Sequence, residues 1–247
     1  MSKKIRLYKI MPILDGLKEW GKVQKGLLEP IKSPDVEITE VDLPNSPIKE
    51  ISSSVHVGIV AMFQVEEAMI AEEKGFDAVV LGCLDEPGVS EAKEVLQIPV
   101  VGEAESSMHY ASLLGRKFSF VGGSPESKGI LEDLAKKYGF FEKLASVRKI
   151  NATPLDFASN RNGIIDNMII EGEKAIERDG ADSIIGYGDM DCINIMRSRL
   201  GVPVISPVQA SVLMAENLVR LNISHSKKAY PFPKDILKIK KLRFRSE

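Results

Sequence analysis

Cysteine, histidine and tryptophan are all scarce in this chain of 247 residues, which holds two, three and one of them. Two cysteines, Cys83 and Cys192, are too few for a disulfide framework in a chain this long. The three histidines, His56, His109 and His225, show no ligand spacing with each other or with either cysteine, so no metal site is expected. No run approaches the roughly 18 consecutive apolar residues that a membrane span requires. The first ten residues carry no apolar core of the secretory type. No Gly-Lys-Ser/Thr occurs, and no Gly-x-Gly-x-x-Gly follows the first strand, so a nucleotide is disfavoured and no cofactor is expected. What remains is an ordinary composition, 44% hydrophobic and 28% charged. It suits a soluble, cytoplasmic α/β protein with a sizeable core.

Charge is balanced overall, with 33 basic and 35 acidic side chains, but not along the chain. From Ser226 onward eight basic residues face only Asp235 and Glu247, which leaves a net charge of −8 on the remainder. An acidic body repels phosphate, and Ile236, Leu237, Ile239, Leu242 and Phe244 interrupt the basic run. The tail therefore reads as a segment laid over the body or over a neighbouring subunit. Neither nucleic acid nor a membrane is expected as partner, and a homo-oligomer is.

Short apolar runs alternate with helical patterns. Strands are expected at Ile5–Ile13, Val36–Val41, Ala78–Leu81, Val100–Val101, Phe118–Val121, Ser183–Ile185 and Val202–Ile205. Helices are expected at Gln64–Lys74, Val89–Leu96, Ser106–Leu114, Glu126–Tyr138, Met168–Arg178, Asp191–Arg199 and Val208–Leu221. Pro87-Gly88 opens one helix, and Ser124-Pro125 supplies a capping hydroxyl and a first-turn proline to another. This order argues for parallel sheets covered on both faces.

The chain also echoes itself. Gly75-Phe-Asp-Ala-Val-Val-Leu-Gly-Cys is followed, sixteen residues after Cys83, by Pro99-Val-Val-Gly. Gly180-Ala-Asp-Ser-Ile-Ile-Gly-Tyr is followed, sixteen residues after Tyr187, by Pro203-Val-Ile-Ser. The expected fold is two pseudo-symmetric Rossmann-like halves with parallel sheets and the active site in the cleft between them. Residues 1–104 with 208–225 form the first half, 105–207 the second, and 226–247 the basic tail.

Three loops carry chemistry. Cys83 ends a strand before a helix start, where backbone N–H groups and the helix dipole favour a thiolate, although a cysteine there is also an ordinary small buried residue. Tyr187 stands in the matching loop of the second half. It can exchange a proton, though its reference pKa near 10 makes a poor base, and it serves equally to shape a pocket. Gly122, Gly123 and Ser124 follow a third strand and offer N–H groups and a hydroxyl to a carboxylate or carbonyl oxygen, or simply form a capped turn. Cys192 reads as packing.

In these residues the chain resembles the aspartate/glutamate racemase superfamily, most closely its hydantoin racemase branch. The resemblance runs over about residues 5–220. It is densest at Gly75–Gly88 and at Pro99–Val121, with a third block from Gly180 to Ile205. It implies cofactor-independent proton transfer at a carbon next to a carbonyl or carboxylate, with a cysteine on each face of that carbon. Cys83 matches the first catalytic position, Pro12 a proline near the substrate, and Gly122-Gly123 a substrate-holding position. Leu84 and Asp85 in the first loop, and Gly188 and Asp189 in the second, complete the implied substrate-binding set. The implied partner is a small carboxylate, amino acid or hydantoin.

The departures are specific. Gly186-Tyr-Gly-Asp-Met replaces the family's Gly-Cys-Ala-Gly-Met, so the second thiol is gone. Tyr187, or a water held by Gly188 and Asp189, is left for the second face. Met11-Pro12-Ile13 replaces Asn-Pro-Asn. Asp85-Glu86 replaces Gly-Asp and adds negative charge that opposes a thiolate and an anionic substrate. Two other readings stay open beside the racemase: a single-thiol decarboxylase or isomerase of small carboxylates, and a non-catalytic ligand-binding member of the superfamily.

Overall fold

In the strand Ala78–Leu81 every side chain is buried, as a strand covered on both faces requires. The computed structural model describes residues 4–123, 127–150 and 160–241. Its strands are β1 (Ile5–Ile10), β2 (Val36–Val41), β3 (Ala78–Leu81), β4 (Val100–Gly102), β5 (Phe118–Val121), β6 (Leu144–Arg148), β7 (Ser183–Gly186) and β8 (Val204–Ile205). The helices are α1 (Gly16–Leu28), α2 (Ser54–Glu73), α3 (Val89–Val95), α4 (Glu103–Leu114), α5 (Ser127–Lys137), α6 (Arg161–Glu177), α7 (Met190–Leu200), α8 (Pro207–Arg220) and α9 (Ile236–Ile239).

The strands form two parallel four-stranded sheets, ordered β2-β1-β3-β4 and β6-β5-β7-β8. Two compact units contain them. The first comprises residues 1–22, 30–103 and 211–247, and the second residues 23–29 and 104–210. The tail from Ser226 thus belongs to the first unit.

The sequence echo has a physical basis. Gly75 and Gly180 each turn the chain through a positive φ, +74° and +77°. Two residues on, Asp77 accepts from the Arg6 N–H at 2.8 Å, and Asp182 accepts from Lys117 at 3.0 Å and Arg116 at 2.9 Å. Each aspartate fixes the start of the neighbouring strand. At the other edge, Val79 N–H donates to Pro99 O and Ile184 N–H to Pro203 O, both at 2.9 Å. The repeated letters are the residues that start and register the two central strands.

Several elements differ from expectation. Helix α2 begins ten residues earlier than its charged half suggests, because the Ser53 hydroxyl accepts from His56 N–H at 3.2 Å and caps it. By length and composition alone α2 is apolar enough to cross a membrane. It instead buries Val60, Ala68, Met69 and Ala71 in the core of the first unit, along with Gln64, Glu66 and Glu67. Helix α1 and strand β6 lie outside the elements that the sequence pattern marks; β6 is an edge strand of mixed polarity, and its apolar signal is short. Strand β1 stops at Ile10, and β8 is only two residues long. The Ser124-Pro125 cap lies outside the described residues.

The described part of the tail, up to residue 241, lies over the first unit. His225 Nε2 donates to Leu96 O at 2.9 Å, Lys227 Nζ to Lys93 O at 2.7 Å, and Lys240 pairs with Glu72 at 2.7 Å. Ile236 and Ile239 pack on its core.

Candidate active site

The first-unit loop is built from the end of β3 outward. Gly82 N–H donates to Ile10 O at 2.9 Å, and a Cβ on Gly82 would stand 2.7 Å from that oxygen. Only glycine lets the two backbones approach so closely. Pro12 is buried, its Cδ 3.4 Å from the same position, and Gln64 Nε2 holds the Gly82 carbonyl at 3.2 Å.

Cys83 then takes φ +96°, a region that non-glycine residues rarely occupy and that tends to accompany functional sites. All three of its polar groups are held. Its N–H donates to Glu103 Oε2 at 3.1 Å, its carbonyl accepts from Glu86 N–H at 3.1 Å, and its Sγ accepts from Asp85 N–H at 3.4 Å. Glu86 also has a positive φ, +51°, and its carboxylate lies over Gly102, where a Cβ would be 2.5 Å from Glu86 Cδ. Leu84 is half-buried and Asp85 buried.

Of the two opposing influences legible in the sequence, the Asp85-Glu86 charge outweighs the helix start. A thiolate at Cys83 is not favoured: burial pushes its pKa well above an ordinary thiol, and Asp85, Glu103 and Glu86 push it further. The Asp85 N–H is the opposing influence. Helix α3 begins six residues after Cys83 and is only seven residues long, so its dipole gives little help. The added charge of Asp85-Glu86 acts as the sequence indicates.

Lys9 is the cation of this region. Its side chain is fully buried on β1, and its Nζ donates to Glu103 Oε1 at 2.9 Å. Lys9 pairs in register with Glu40 on β2. Burial raises the Glu40 carboxyl pKa, and Lys9 partly offsets this.

In the second unit Gly122 and Gly123 follow β5 with φ of +108° and +86°. Gly122 lies against the Tyr187 ring. Tyr187 follows β7 and is half-buried, and Gly188 is buried at φ +135°. Asp189 caps α7, accepting from Cys192 N–H at 2.8 Å and from the Arg161 guanidinium at 2.7 and 2.8 Å. Its oxygens are thus engaged by cap and cation. Cys192 is fully buried; burial and Asp189 push its thiol up to about 12, in keeping with packing. Ser124 lies outside the described residues.

Within the second unit Tyr187 stands beside Gly122, and within the first Asp85 stands beside Cys83. The first-unit loop also gathers residues that sequence reasoning did not single out: Lys9, Gln64 and Glu103. Glu103 stands inside the densest block of resemblance, and that was its one signal. Among the described residues no three His, Cys, Asp or Glu side chains gather as metal ligands.

Two parallel α/β units, each with a glycine-bearing loop at the carboxyl end of its central strand, define a racemase-type fold. The Asp/Glu/Hydantoin racemase family model matches residues 29–215, and the chain belongs to this family. It is 40% identical over 172 residues to a hydantoin racemase of a Pseudomonas species, covering 68% of this chain and 69% of that protein. A hydantoin racemase of Paenarthrobacter aurescens is 33% identical over 181 residues, covering 72% and 76%. Among solved structures, an allantoin racemase from Klebsiella pneumoniae aligns with a TM-score of 0.86 and 26% identity, covering 94% of both chains. The protein is an isomerase of the racemase type.

Proposed function

We propose that the protein is a cofactor-independent racemase of neutral cyclic ureides, 5-substituted hydantoins above all, with Cys83 exchanging the proton on one face of the ring carbon. The observation that carries this reading is the Cys83 loop: a cysteine in a left-handed bend, its three polar groups each held by a hydrogen bond. A side chain placed this firmly at a strand end serves proton transfer, where displacement of the donor is costly. The surrounding carboxylates keep the resting thiol protonated, ready to deliver a proton. They also disfavour a carboxylate substrate by like-charge repulsion, whereas a hydantoin is neutral and presents N–H donors. The ring-carbon proton leaves on the opposite face, which the family resemblance assigns to Tyr187. The Tyr187 phenolate takes that proton and becomes the phenol. The carbanion is delocalised onto the adjacent carbonyl until the Cys83 thiol protonates it. The reverse turnover starts from the Cys83 thiolate and Tyr187 phenol so formed.

The test is proton NMR in deuterated water on 5-substituted hydantoins and free amino acids. Hydantoins should take up deuterium at the ring carbon and lose optical activity. Cys83→Ser should slow this by about 100-fold or more. Uptake with configuration retained in Tyr187→Phe would support the second-face role. Unchanged exchange in Cys83→Ser, or binding without any exchange, would overturn the reading.

A further inference from the structure

We infer that Glu103 is the positioning residue of Cys83, and that buried Lys9 serves as its counter-charge. The inference rests on the role proposed for Cys83 above. Glu103 opens α4 directly after β4, and Gly102 pairs in register with Leu81, so Glu103 emerges beside the Gly82–Cys83 turn. One carboxylate oxygen takes the Cys83 N–H at 3.1 Å, and the other takes Lys9 Nζ at 2.9 Å. Lys9 comes from β1, which pairs with β3 through Ile10 and Leu81. A single side chain thus ties Cys83 to a second strand of the sheet.

Stability alone does not account for this pair. Both side chains are withdrawn from water, with 0% and 9% exposure. Burying two charges costs desolvation that their attraction only partly recovers, and apolar replacements of similar size often fold as well. The charge of Glu103 also works against ionisation of the neighbouring thiol. What the carboxylate supplies is geometry. Of the three hydrogen bonds made by Cys83 itself, the other two come from backbone N–H groups within its own loop. Among the described residues, the Glu103 bond is the one by which Cys83's own groups reach outside its loop. Lys9 fixes the carboxylate and tempers its charge.

Charge and position therefore predict opposite signs. Glu103→Gln removes the negative charge, so Cys83 should be alkylated faster at a given pH. The amide can no longer serve both Cys83 N–H and Lys9 Nζ as acceptor. Turnover measured as deuterium uptake should therefore fall about 10- to 100-fold, with KM changed less than about threefold. The double variant Lys9→Met/Glu103→Leu removes the pair without leaving a lone buried charge. It should melt near the wild type, lose a similar share of turnover, and exchange its Cys83 amide hydrogen at least about tenfold faster by nitrogen-15 NMR. A variant with faster alkylation and undiminished turnover would show that Glu103 acts through charge alone and would overturn the inference. An equally protected Cys83 amide in the double variant would overturn it too. If the wild type exchanges no hydantoin, the racemase reading fails. The amide and alkylation measurements still decide whether Glu103 holds Cys83.

Discussion

Gly122 and Tyr187 fit each other as backbone to ring: a Cβ on residue 122 would lie 2.6 Å from Tyr187 Cδ1 and closer still to Cε1. Gly122 also has φ +108°, so any side chain there meets both strain and collision. Gly122→Ala should cost about 2 kcal/mol or more, a fall of roughly 4–8 °C in melting temperature. Tyr187→Ala in the same chain should recover the collision but not the backbone strain. Thermal melts of the single and double variants check this; a Gly122→Ala protein melting within a degree of wild type would refute the fit.

The two thiols should both be slow towards iodoacetamide at pH 7, since burial raises each pKa. Cys83 is half-buried and Cys192 fully buried, so raising the pH above 9 should label Cys83 first. Mass spectrometry of the two peptides reads the order. Rapid labelling of Cys83 at pH 7 would mean that the carboxylates around it do not govern its ionisation.

Asp189 gives a stability prediction with a defined pH dependence. Burial alone would raise its carboxyl pKa, but Arg161 and the Cys192 N–H outweigh burial and hold it below the usual range. A depressed acid contributes stability above its unfolded pKa of about 3.9 and loses it as the pH falls through the folded value. Asp189→Ala should therefore cost about 1–2 kcal/mol at pH 7 through loss of the helix cap. The difference from wild type should shrink below about pH 4. Asp189→Asn should recover much of the cap and none of the pH dependence. Urea unfolding at pH 7 and pH 3.5 separates these outcomes.

His225 ties the tail to Leu96 O, and its pKa is lowered chiefly by burial, with Lys227 and Lys93 adding repulsion. The unfolded chain binds a proton more readily than the folded one, so this contribution is present above about pH 6.5 and lost as the pH falls below it. His225→Ala should cost about 1 kcal/mol at pH 7.5. The gap in melting temperature should narrow at pH 5. A gap that stays constant with pH would show that the neutral imidazole is not what holds the tail.

Legibility in the sequence divided along the range of the forces involved. The central strands, most helices and the internal echo were readable, because strand runs, helical periodicity and turn glycines are local signals. Asp77, Asp182, Pro99 and Pro203 stood out as repeated letters and proved to be the residues that register β3 and β7. Cys83 stood out for its place after a strand and before a Pro-Gly turn. Helix α1 and the first half of α2 carried weaker signals, and α2 needed Ser53 as its start.

What the sequence by itself determined is therefore the plan of two α/β units, the loop that carries Cys83, and Tyr187 in the corresponding loop of the internal echo. Only the tertiary structure decided how Cys83 is held and which way its proton equilibrium leans. Lys9 and Glu103 are 94 residues apart, and no local pattern marks a lysine in β1 as fully buried or a helix-opening glutamate as its partner. In the sequence the nearby helix start favours a thiolate and Asp85-Glu86 opposes it, with nothing to weigh one against the other. Burial and three carboxylates, brought together by strand pairing and a left-handed bend, decide against ionisation. Desolvation and close-range charge depend on three-dimensional distance, which the chain sets only once it has folded.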